Sequence, residues 1–248
     1  MLVGAQTSRG RSRQEDGGNS NCLCFRVSRP SELEGGRQLS SSLADRWGPA
    51  VNEKTAAVAS KTNRAVFLDR DGVINRKAPE GQYITAWEQV EFLSGVEDAL
   101  RDLKRGGFLL IIVTNQSAIS RNELSVKVLE SIHRKMLLYL ARHGAAVDAI
   151  YYCPHDRNAN CPCRKPMPNM LVQAAEEHGI DLSQSWMVGD AASDIQAGRA
   201  AGCRTISVLP ADSDGMLSPA PDFKAHSLQE AARWILSLSS GSDKHRTR

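Results

Sequence analysis

The chain has 248 residues, a net charge of +3 at neutral pH and a hydrophobic content of 41%, which is ordinary for a globular protein of one large or two small domains. No apolar run approaches the roughly 18 residues that a transmembrane helix needs, and residues 1–10 lack the apolar core of a secretory signal. We therefore expect a cytoplasmic protein that does not bind membranes.

Charge and composition divide the chain near residue 60. Residues 1–64 hold 10 basic and 6 acidic residues, whereas the remainder holds 21 and 22. A nearly neutral main domain gives no electrostatic basis for nucleic-acid binding. Residues 1–60 are rich in Ser, Gly, Arg and Glu without an apolar period, so we expect a disordered N-terminal extension, which could be an organelle leader. Residues 241–248 are expected to form a flexible tail.

Strands and helices alternate from residue 64 onwards. The predicted strands cover residues 65–68, 108–113, 147–152, 186–188 and 204–208. The predicted helices contain residues 96–103, 126–140, 170–175 and 195–201, and a last helix begins at the capping box of Ser227 and Glu230. Alternation of this kind predicts an α/β domain over residues 64–240, with a parallel sheet and helices on both faces.

Two aspartates follow the first of these strands. In the run VFLDRDGVIN at 66–75, the apolar strand ends at Asp69, and Asp71 and Gly72 come next. Open α/β sheets place their chemistry just beyond the carboxyl ends of strands, and alternate residues of an extended segment point the same way. The pair could therefore be a nucleophile with a proton shuttle, a metal site, or only a polar turn.

Three further motifs stand at or just after predicted strand ends. They are Thr114-Asn115, Lys165 in CRKP at 163–166, and Asp190 with Asp194 in MVGDAASDIQAG at 187–198. Taken singly, each has an ordinary interpretation as a turn, a surface lysine or a helix-capping residue. Because parallel strands end at one edge of a sheet, we expect these motifs to converge on a single site with Asp69 and Asp71.

The order of the motifs D-x-D-G, T-N-Q, K-P and G-D-x-x-x-D resembles the haloacid dehalogenase (HAD) superfamily of phosphotransferases. The runs LDRDGVIN, VTNQSAISR, YYCPH, CPCRKP and MVGD are similar to its branch of heptose bisphosphate and histidinol-phosphate phosphatases. The resemblance covers about residues 64–238. It implies a Rossmann-like parallel sheet flanked by helices, with a zinc-binding loop.

The resemblance implies a catalytic role for four side chains. Asp69 resembles the nucleophile that attacks phosphorus and forms an aspartyl-phosphate. Asp71 resembles the general acid that protonates the leaving oxygen and then activates water, a role for which we expect adjacent carboxylates to raise its pKa. The Thr114 hydroxyl and the Lys165 ammonium would hold the phosphoryl oxygens.

The same resemblance implies a magnesium site. Asp69, Asp190 and the backbone carbonyl of Asp71 would bind Mg²⁺, which prefers oxygen ligands. Asp194 would bind the ion or one of its ligands.

A second metal site is predicted from a cluster of cysteines. Cys153, His155, Cys161 and Cys163 lie within eleven residues, which favours a metal over a disulfide framework. Three sulfurs and one imidazole match a closed tetrahedral zinc site, and the resembling branch carries the same pattern. Without zinc, the segment would be a reduced cysteine-rich loop or would pair Cys161 with Cys163. Four protein ligands leave no open position, so we expect a structural zinc that shapes the loop before Lys165.

The spacing of the motifs predicts an open, capless site. The 42 residues between Asp71 and Thr114, and the 50 between Thr114 and Lys165, already hold predicted elements and leave no room for a cap domain. Loops should therefore select the substrate. The candidate substrate-binding residues are Asn75, Arg76, Asn115, Ser117, Arg121 and Arg164.

These observations predict an Mg²⁺-dependent phosphomonoesterase acting on a small phosphorylated metabolite, with heptose 1,7-bisphosphate as the leading substrate. Histidinol phosphate or another small phosphosugar is the alternative, and a non-catalytic zinc module that binds nucleic acid is a third. The chain departs from the branch at Ala118, where glycine is usual, and at Ala191, where a cation often follows the aspartate. We expect a monomer.

Overall fold

A seven-stranded sheet forms the centre of the computed structural model, in which residues 25–28, 62–209 and 217–241 are described. The strands are β1 (Phe25–Ser28), β2 (Ala65–Leu68), β3 (Leu109–Asn115), β4 (Ala149–Cys153), β5 (Trp186–Gly189), β6 (Arg204–Val208) and β7 (Phe223–Ala225). The helices are α1 (Val96–Arg105), α2 (Val126–Arg142), α3 (Asn169–His178), α4 (Ala192–Ala200) and α5 (Leu228–Gly241), with short 3₁₀ turns at Trp87–Gln89 and Leu182–Gln184.

The strand order is β1-β4-β3-β2-β5-β6-β7, and every pair except β1 with β4 is parallel. The predicted parallel sheet flanked by helices is confirmed. β2 lies at the middle, where Leu68 is in register with Ile112 of β3 and Val188 of β5. The chain leaves these three strands at the same edge, so the residues that follow them are neighbours in space.

Both faces of the sheet are buried. Along β2, Val66 and Leu68 face one apolar cluster, which includes residues of α1, α2 and α5. Ala65 and Phe67 face the other cluster, which includes residues of α3 and α4. Burial on both sides explains why the central strands are continuous apolar runs rather than alternating ones. It also gives the residues at the strand ends a rigid support.

No separate cap domain interrupts the described stretch 62–209. Between β2 and β3 the chain forms one 3₁₀ turn and α1, and between β3 and β4 it forms only α2. The carboxyl edge of the sheet is therefore bordered by loops. Among the described residues, no helix has both the length and the apolar character needed to span a bilayer.

Two strands were not predicted from the sequence. β7 is only three residues long and adds to the β6 edge. β1 lies within the segment 1–60 that we expected to be disordered, so that expectation is corrected for residues 25–28; the rest of 1–60 lies outside the described residues, as does most of the expected tail. β1 pairs antiparallel with β4, buries Val27, and stacks Phe25 on Tyr152 at 5.4 Å between ring centroids.

Short length hides β1 in the sequence, because four residues with one buried apolar position do not establish a period. An ion pair adds to the apolar contact of this strand. Arg26 is 3.0 Å from Glu177 of α3, and the same carboxylate oxygen accepts a hydrogen bond from the Tyr151 hydroxyl. The pairing covers the edge of β4, which would otherwise present unpaired backbone groups.

Val27→Asp should lower the free energy of unfolding by about 1–3 kcal/mol, because it places a charge at a buried position. This decrease in the free energy of unfolding cannot exceed the contribution that β1 makes to stability, because the strand can detach from β4. Urea denaturation would measure it. Val128→Asp makes the same change at an exposed position of α2 and serves as the control. Equal stability of the two variants would contradict the described position of β1.

Candidate active site

The predicted motifs meet at the carboxyl edge of the sheet. Asp69 follows β2, and its backbone N–H donates to the carbonyl of Val188 in β5 at 2.9 Å. Thr114 and Asn115 are the last two residues of β3, and Asp190 follows β5. Register alone therefore places these groups side by side, as expected from the alternation of strands and helices.

Three carboxylates form a cluster around one lysine. Ligand oxygens of Asp69, Asp190 and Asp194 all lie within 4.8 Å of one another. The buried Nζ of Lys165 lies 2.9 Å from Asp69 and 2.6 Å from Asp194, and it donates to the Val113 carbonyl at 2.7 Å. The ammonium is thus held by three oxygens at the end of the sheet.

Burial and mutual repulsion change the acidity of this cluster. Burial raises the pKa of Asp69 to about 7, the nearby carboxylates add to the effect, and Lys165 opposes it. Burial acts against the charge of Lys165, but Asp194 and Asp69 raise the pKa of this lysine above its ordinary value. The lysine therefore stays protonated, while Asp69 gains a proton readily unless further positive charge is present.

Two glycines allow the acidic residues to come this close. Gly72 has a φ of +92°, and a Cβ at this position would collide with the carboxylate of Asp190. A Cβ at Gly189 would collide with the side chain of Asp194. The glycine of D-x-D-G and that of G-D are therefore required by the packing of the acids against the backbone.

A second cation reaches the cluster from an unexpected element. Ala191 has no charged side chain, but Lys77, in the loop after β2, forms an ion pair with Asp190. Burial would lower the pKa of Lys77, yet Asp190 raises it. We did not predict Lys77, because a lone lysine in a polar loop has no sequence signal that distinguishes it from a surface residue.

The cluster fits a magnesium ion. Its donors are carboxylate oxygens, which hard cations prefer, and the buried Oδ1 of Asp190 has no hydrogen-bond partner among the described residues. Asp69, Asp190 and Asp194 are the side chains that would hold the ion. The side chain of Asp71 lies apart from them, so only its backbone carbonyl remains as the predicted contribution to this site.

Asp71 is held by a set of donors. Arg70 contacts both carboxylate oxygens, with its NH2 at 3.0 and 2.8 Å and its Nε at 3.1 Å. Asn75 donates to Oδ1 at 2.9 Å and Gln116 to Oδ2 at 3.1 Å. Burial alone would raise the pKa of Asp71, but Arg70 and these amides lower it below its ordinary value. Our expectation of a raised pKa is therefore wrong, because the Arg70 guanidinium and the two amides outweigh the effect of burial.

Two amide side chains join the parts of the site. Gln116 donates to the Thr114 hydroxyl at 2.9 Å as well as to Asp71. Asn115 donates to the Lys165 carbonyl at 3.1 Å and accepts from the Lys165 N–H at 3.0 Å. The end of β3 thus fixes both the Asp71 carboxylate and the backbone at Lys165. Gln116 was not among the predicted site residues, although it lies in the T-N-Q run.

The predicted substrate-binding residues lie in several places. Asn75 is buried against Asp71. Arg76 is exposed and paired with Glu91. Ser117 is partly buried, and its carbonyl accepts a hydrogen bond from the Ser120 hydroxyl. The structure therefore does not gather all six candidates into one pocket.

Two arginines from the predicted substrate-binding set reach the cysteine loop. Arg121 contacts Asp156 at 2.8 Å, and NH1 of Arg164 donates to the His155 carbonyl at 2.9 Å. Arg164 also borders a cavity of about 700 Å³ along this loop, which Lys165 borders as well but the three carboxylates of the cluster do not. Its other lining residues are Asn115, Arg157, Asn160, Cys161, Pro162, Lys165, Pro166, Met167 and Ser193.

The four predicted zinc ligands are assembled. Ligand atoms of Cys153, His155, Cys161 and Cys163 lie within 4.8 Å of one another, with Cys161 Sγ 2.9 Å from His155 Nδ1. Hydrogen bonding to Cys163 and burial raise the pKa of the Cys153 thiol, so thiolates would need a cation here. The donor set fits a closed zinc site that could hold the loop leading to Arg164 and Lys165.

The chain is similar to known proteins. A family model described as HAD-hydrolase-like matches residues 162–231. A D-glycero-beta-D-manno-heptose-1,7-bisphosphate 7-phosphatase of Helicobacter pylori is 37% identical over 175 residues, which are 70% of this chain and 98% of the relative. The enzyme of that name from Escherichia coli K12 is 41% identical over 153 residues, 59% of this chain and 78% of the relative.

A solved structure extends the comparison. The D,D-heptose 1,7-bisphosphate phosphatase of B. bronchiseptica, complexed with magnesium and phosphate, has a TM-score of 0.65 and 31% identity, and the match covers 71% of this chain and 99% of that one. The chain belongs to the HAD phosphatases, in the family of these heptose bisphosphate phosphatases. The resemblance drawn from the motifs is confirmed, and the chain is a phosphoric monoester hydrolase.

Elemental analysis should find about one zinc ion per purified chain, because the four ligands form a closed site. Cys161→Ser should lose the metal and melt at a lower temperature, since metal binding is coupled to folding. Cys203→Ser changes a buried cysteine outside the cluster and should keep its zinc. If zinc-free and zinc-containing wild-type protein melted at the same temperature, the proposed structural site would be refuted.

Proposed function

We propose that this enzyme removes the 7-phosphate of D-glycero-D-manno-heptose 1,7-bisphosphate. One observation carries the chemistry: the Lys165 ammonium lies between Asp69 and Asp194 at the carboxyl edge of the sheet. The family supports the substrate, because a relative named for this reaction matches the chain over 98% of its own length. The cavity beside Lys165 has room for a sugar bisphosphate.

In the proposed reaction an oxygen of Asp69 attacks phosphorus, and the bond to the leaving oxygen breaks. Lys165 and the Thr114 hydroxyl hold the phosphoryl oxygens during transfer. Asp71, which its donors keep as a carboxylate, must take up a proton before it can protonate the leaving alcohol. In the second half, the Asp71 carboxylate accepts a proton from the water that attacks the aspartyl-phosphate, and phosphate and free Asp69 are regenerated.

The carboxylates of Asp69, Asp190 and Asp194 would hold Mg²⁺ in the working enzyme. When bound, the ion neutralises negative charge on the phosphoryl group. It would also oppose the burial that raises the pKa of Asp69, so that this residue is present as a carboxylate. The relative from B. bronchiseptica was crystallised with magnesium and phosphate, which supports this proposal.

The cavity supports the choice of a bisphosphate. Arg157, Arg164 and Lys165 all border it, so the two arginines could bind a second phosphate in a cavity that also reaches Lys165. Arginine suits this purpose because its planar donors match phosphate oxygens. We also propose a monomer, since the proposed reaction uses residues of one chain and requires none from a second subunit. A sugar bisphosphate is charged and does not cross membranes unaided, so we propose a cytoplasmic location.

Asp69→Asn should reduce kcat by about 10³-fold or more, because the amide cannot attack phosphorus. Phosphate release from heptose 1,7-bisphosphate in Mg²⁺ buffer would measure the loss. Cys203→Ser again provides a control in the core away from the site. A folded Asp69→Asn protein with wild-type turnover would overturn the assignment of the nucleophile.

The same variant should change the pH dependence of stability in metal-free protein. Because the pKa of Asp69 rises from 3.8 to about 7 on folding, its stabilising contribution is present below pH 3.8 and is lost as the pH rises to 7. Asp69→Asn should remove this loss, so its stability relative to wild type should increase across that window. Urea denaturation at about pH 5 and about pH 8 tests the sign. A constant difference would show that Asp69 does not titrate there.

Arg164→Ala should lower kcat/KM for the bisphosphate by about 10- to 100-fold while leaving a sugar monophosphate nearly unchanged, because charge-assisted bonds to the second phosphate are lost. Lys165→Ala should impair both substrates, since it acts on the transferred group. Arg164 also contacts the zinc loop, so the zinc content must be measured in the same preparation. Equal losses on both substrates would favour histidinol phosphate or another monophosphate as the substrate.

A further inference from the structure

The arginine inside the D-x-D motif is buried rather than exposed. Arg70 has 2% of its surface accessible, and its guanidinium has two partners. Its NH2 and Nε hold both oxygens of Asp71, and its NH1 lies 3.1 Å from Nε2 of His133. A guanidinium with all three nitrogens engaged is fixed in orientation, and so is the carboxylate that it holds.

His133 is the support of Arg70. It lies on α2 and is completely buried, with its ring edge-on to Tyr152 at 5.5 Å between centroids. Because a guanidinium has only donors, Nε2 of His133 must accept, and the proton of the neutral ring is on Nδ1. Burial and the charge of Arg70 lower the pKa of His133 well below its ordinary value, in agreement with a neutral ring.

The remaining sides of the carboxylate are also restrained. Asn75 donates to one oxygen and Gln116 to the other, and Gln116 simultaneously holds the Thr114 hydroxyl. The orientation of Asp71 is therefore tied to a side chain proposed to bind the phosphoryl group. Neither Arg70 nor His133 belongs to the carboxylate cluster of Asp69, Asp190 and Asp194.

We propose that Arg70 and His133 are positioning residues for proton transfer to the leaving oxygen. The inference rests on the proposed function, in which the leaving oxygen takes its proton from Asp71 as its bond to phosphorus breaks. After Asp71 has donated that proton it is a carboxylate, and the Arg70 guanidinium binds both of its oxygens. The carboxylate can then accept a proton from the attacking water. The alternative is that Arg70 and Asp71 form a buried ion pair that contributes only to folding. The two roles differ in which substrates are hydrolysed more slowly when the pair is broken.

The test compares two substrates in the same protein preparation. An alkyl phosphate such as glycerol 3-phosphate needs a proton on its leaving oxygen, whereas 4-nitrophenyl phosphate releases a stable phenolate without one. We expect Arg70→Lys and His133→Leu to lower kcat/KM for the alkyl ester by about 10- to 100-fold and for the aryl ester by about three-fold or less. The loss should be in kcat, with KM nearly unchanged, because neither residue is proposed to touch the substrate.

Two further variants separate positioning from stability. His133→Gln retains an acceptor near Nε2 and should recover most of the activity on the alkyl ester. Leu140→Ala opens the core two turns further along α2 and should change the two rates by the same factor. The ratio of rates does not depend on the fraction of folded enzyme, so partial unfolding cannot imitate the effect.

Equal losses on both esters in Arg70→Lys and His133→Leu would overturn the inference while leaving the phosphatase assignment intact. If His133→Gln lost as much activity on the alkyl ester, relative to the aryl ester, as His133→Leu, then His133 would not be a positioning residue. Failure of the wild-type enzyme to release phosphate from any of these esters or from heptose 1,7-bisphosphate would instead refute the proposed function itself.

Discussion

The site depends on the ion pairs that the buried ammonium of Lys165 forms with Asp69 and Asp194. A parallel sheet brings the ends of β2 and β5 together, and with them the carboxylates of Asp69, Asp190 and Asp194. Removing such charges from water is costly unless opposite charge is close and well oriented. Lys165 meets that need inside the cluster, and Lys77 meets it at the solvent side. The arrangement leaves an excess of carboxylate oxygens, which explains why a divalent cation suits it.

The position of Lys165 is controlled from two directions. On one side the amide of Asn115 binds its backbone N–H and carbonyl, and so connects the lysine to β3. On the other side Cys163 comes immediately before Arg164 and Lys165, with Cys161 two residues earlier. Their partners Cys153 and His155 belong to the end of β4 and the loop after it. A metal with no open position can thus influence catalysis through geometry, because it determines where the chain presents its cation.

The sequence predicts those features that depend on neighbouring residues in the chain. Asp69 and Asp190 could be placed because each directly follows an apolar strand, and strands of one parallel sheet end at a common edge. Lys77 could not, since its pairing depends on the path of a loop. Arg70 stands inside the recognised motif, yet its partner His133 belongs to the apolar face of α2 and looks like a core position. The contacts of Lys77 and of Arg70 both depend on packing between separate segments of the chain, which no local sequence pattern encodes.

β1 also affects the order in which the molecule can be completed during synthesis. Phe25 pairs with Tyr152, 127 positions further along the chain. The strand therefore leaves the ribosome long before its partner exists, and closing so large a loop carries an entropic cost that shorter contacts avoid. The central strands can associate first, with β1 joining as a late addition. During that interval the outer edge of β4 is open to any extended peptide, including β1 of another nascent chain.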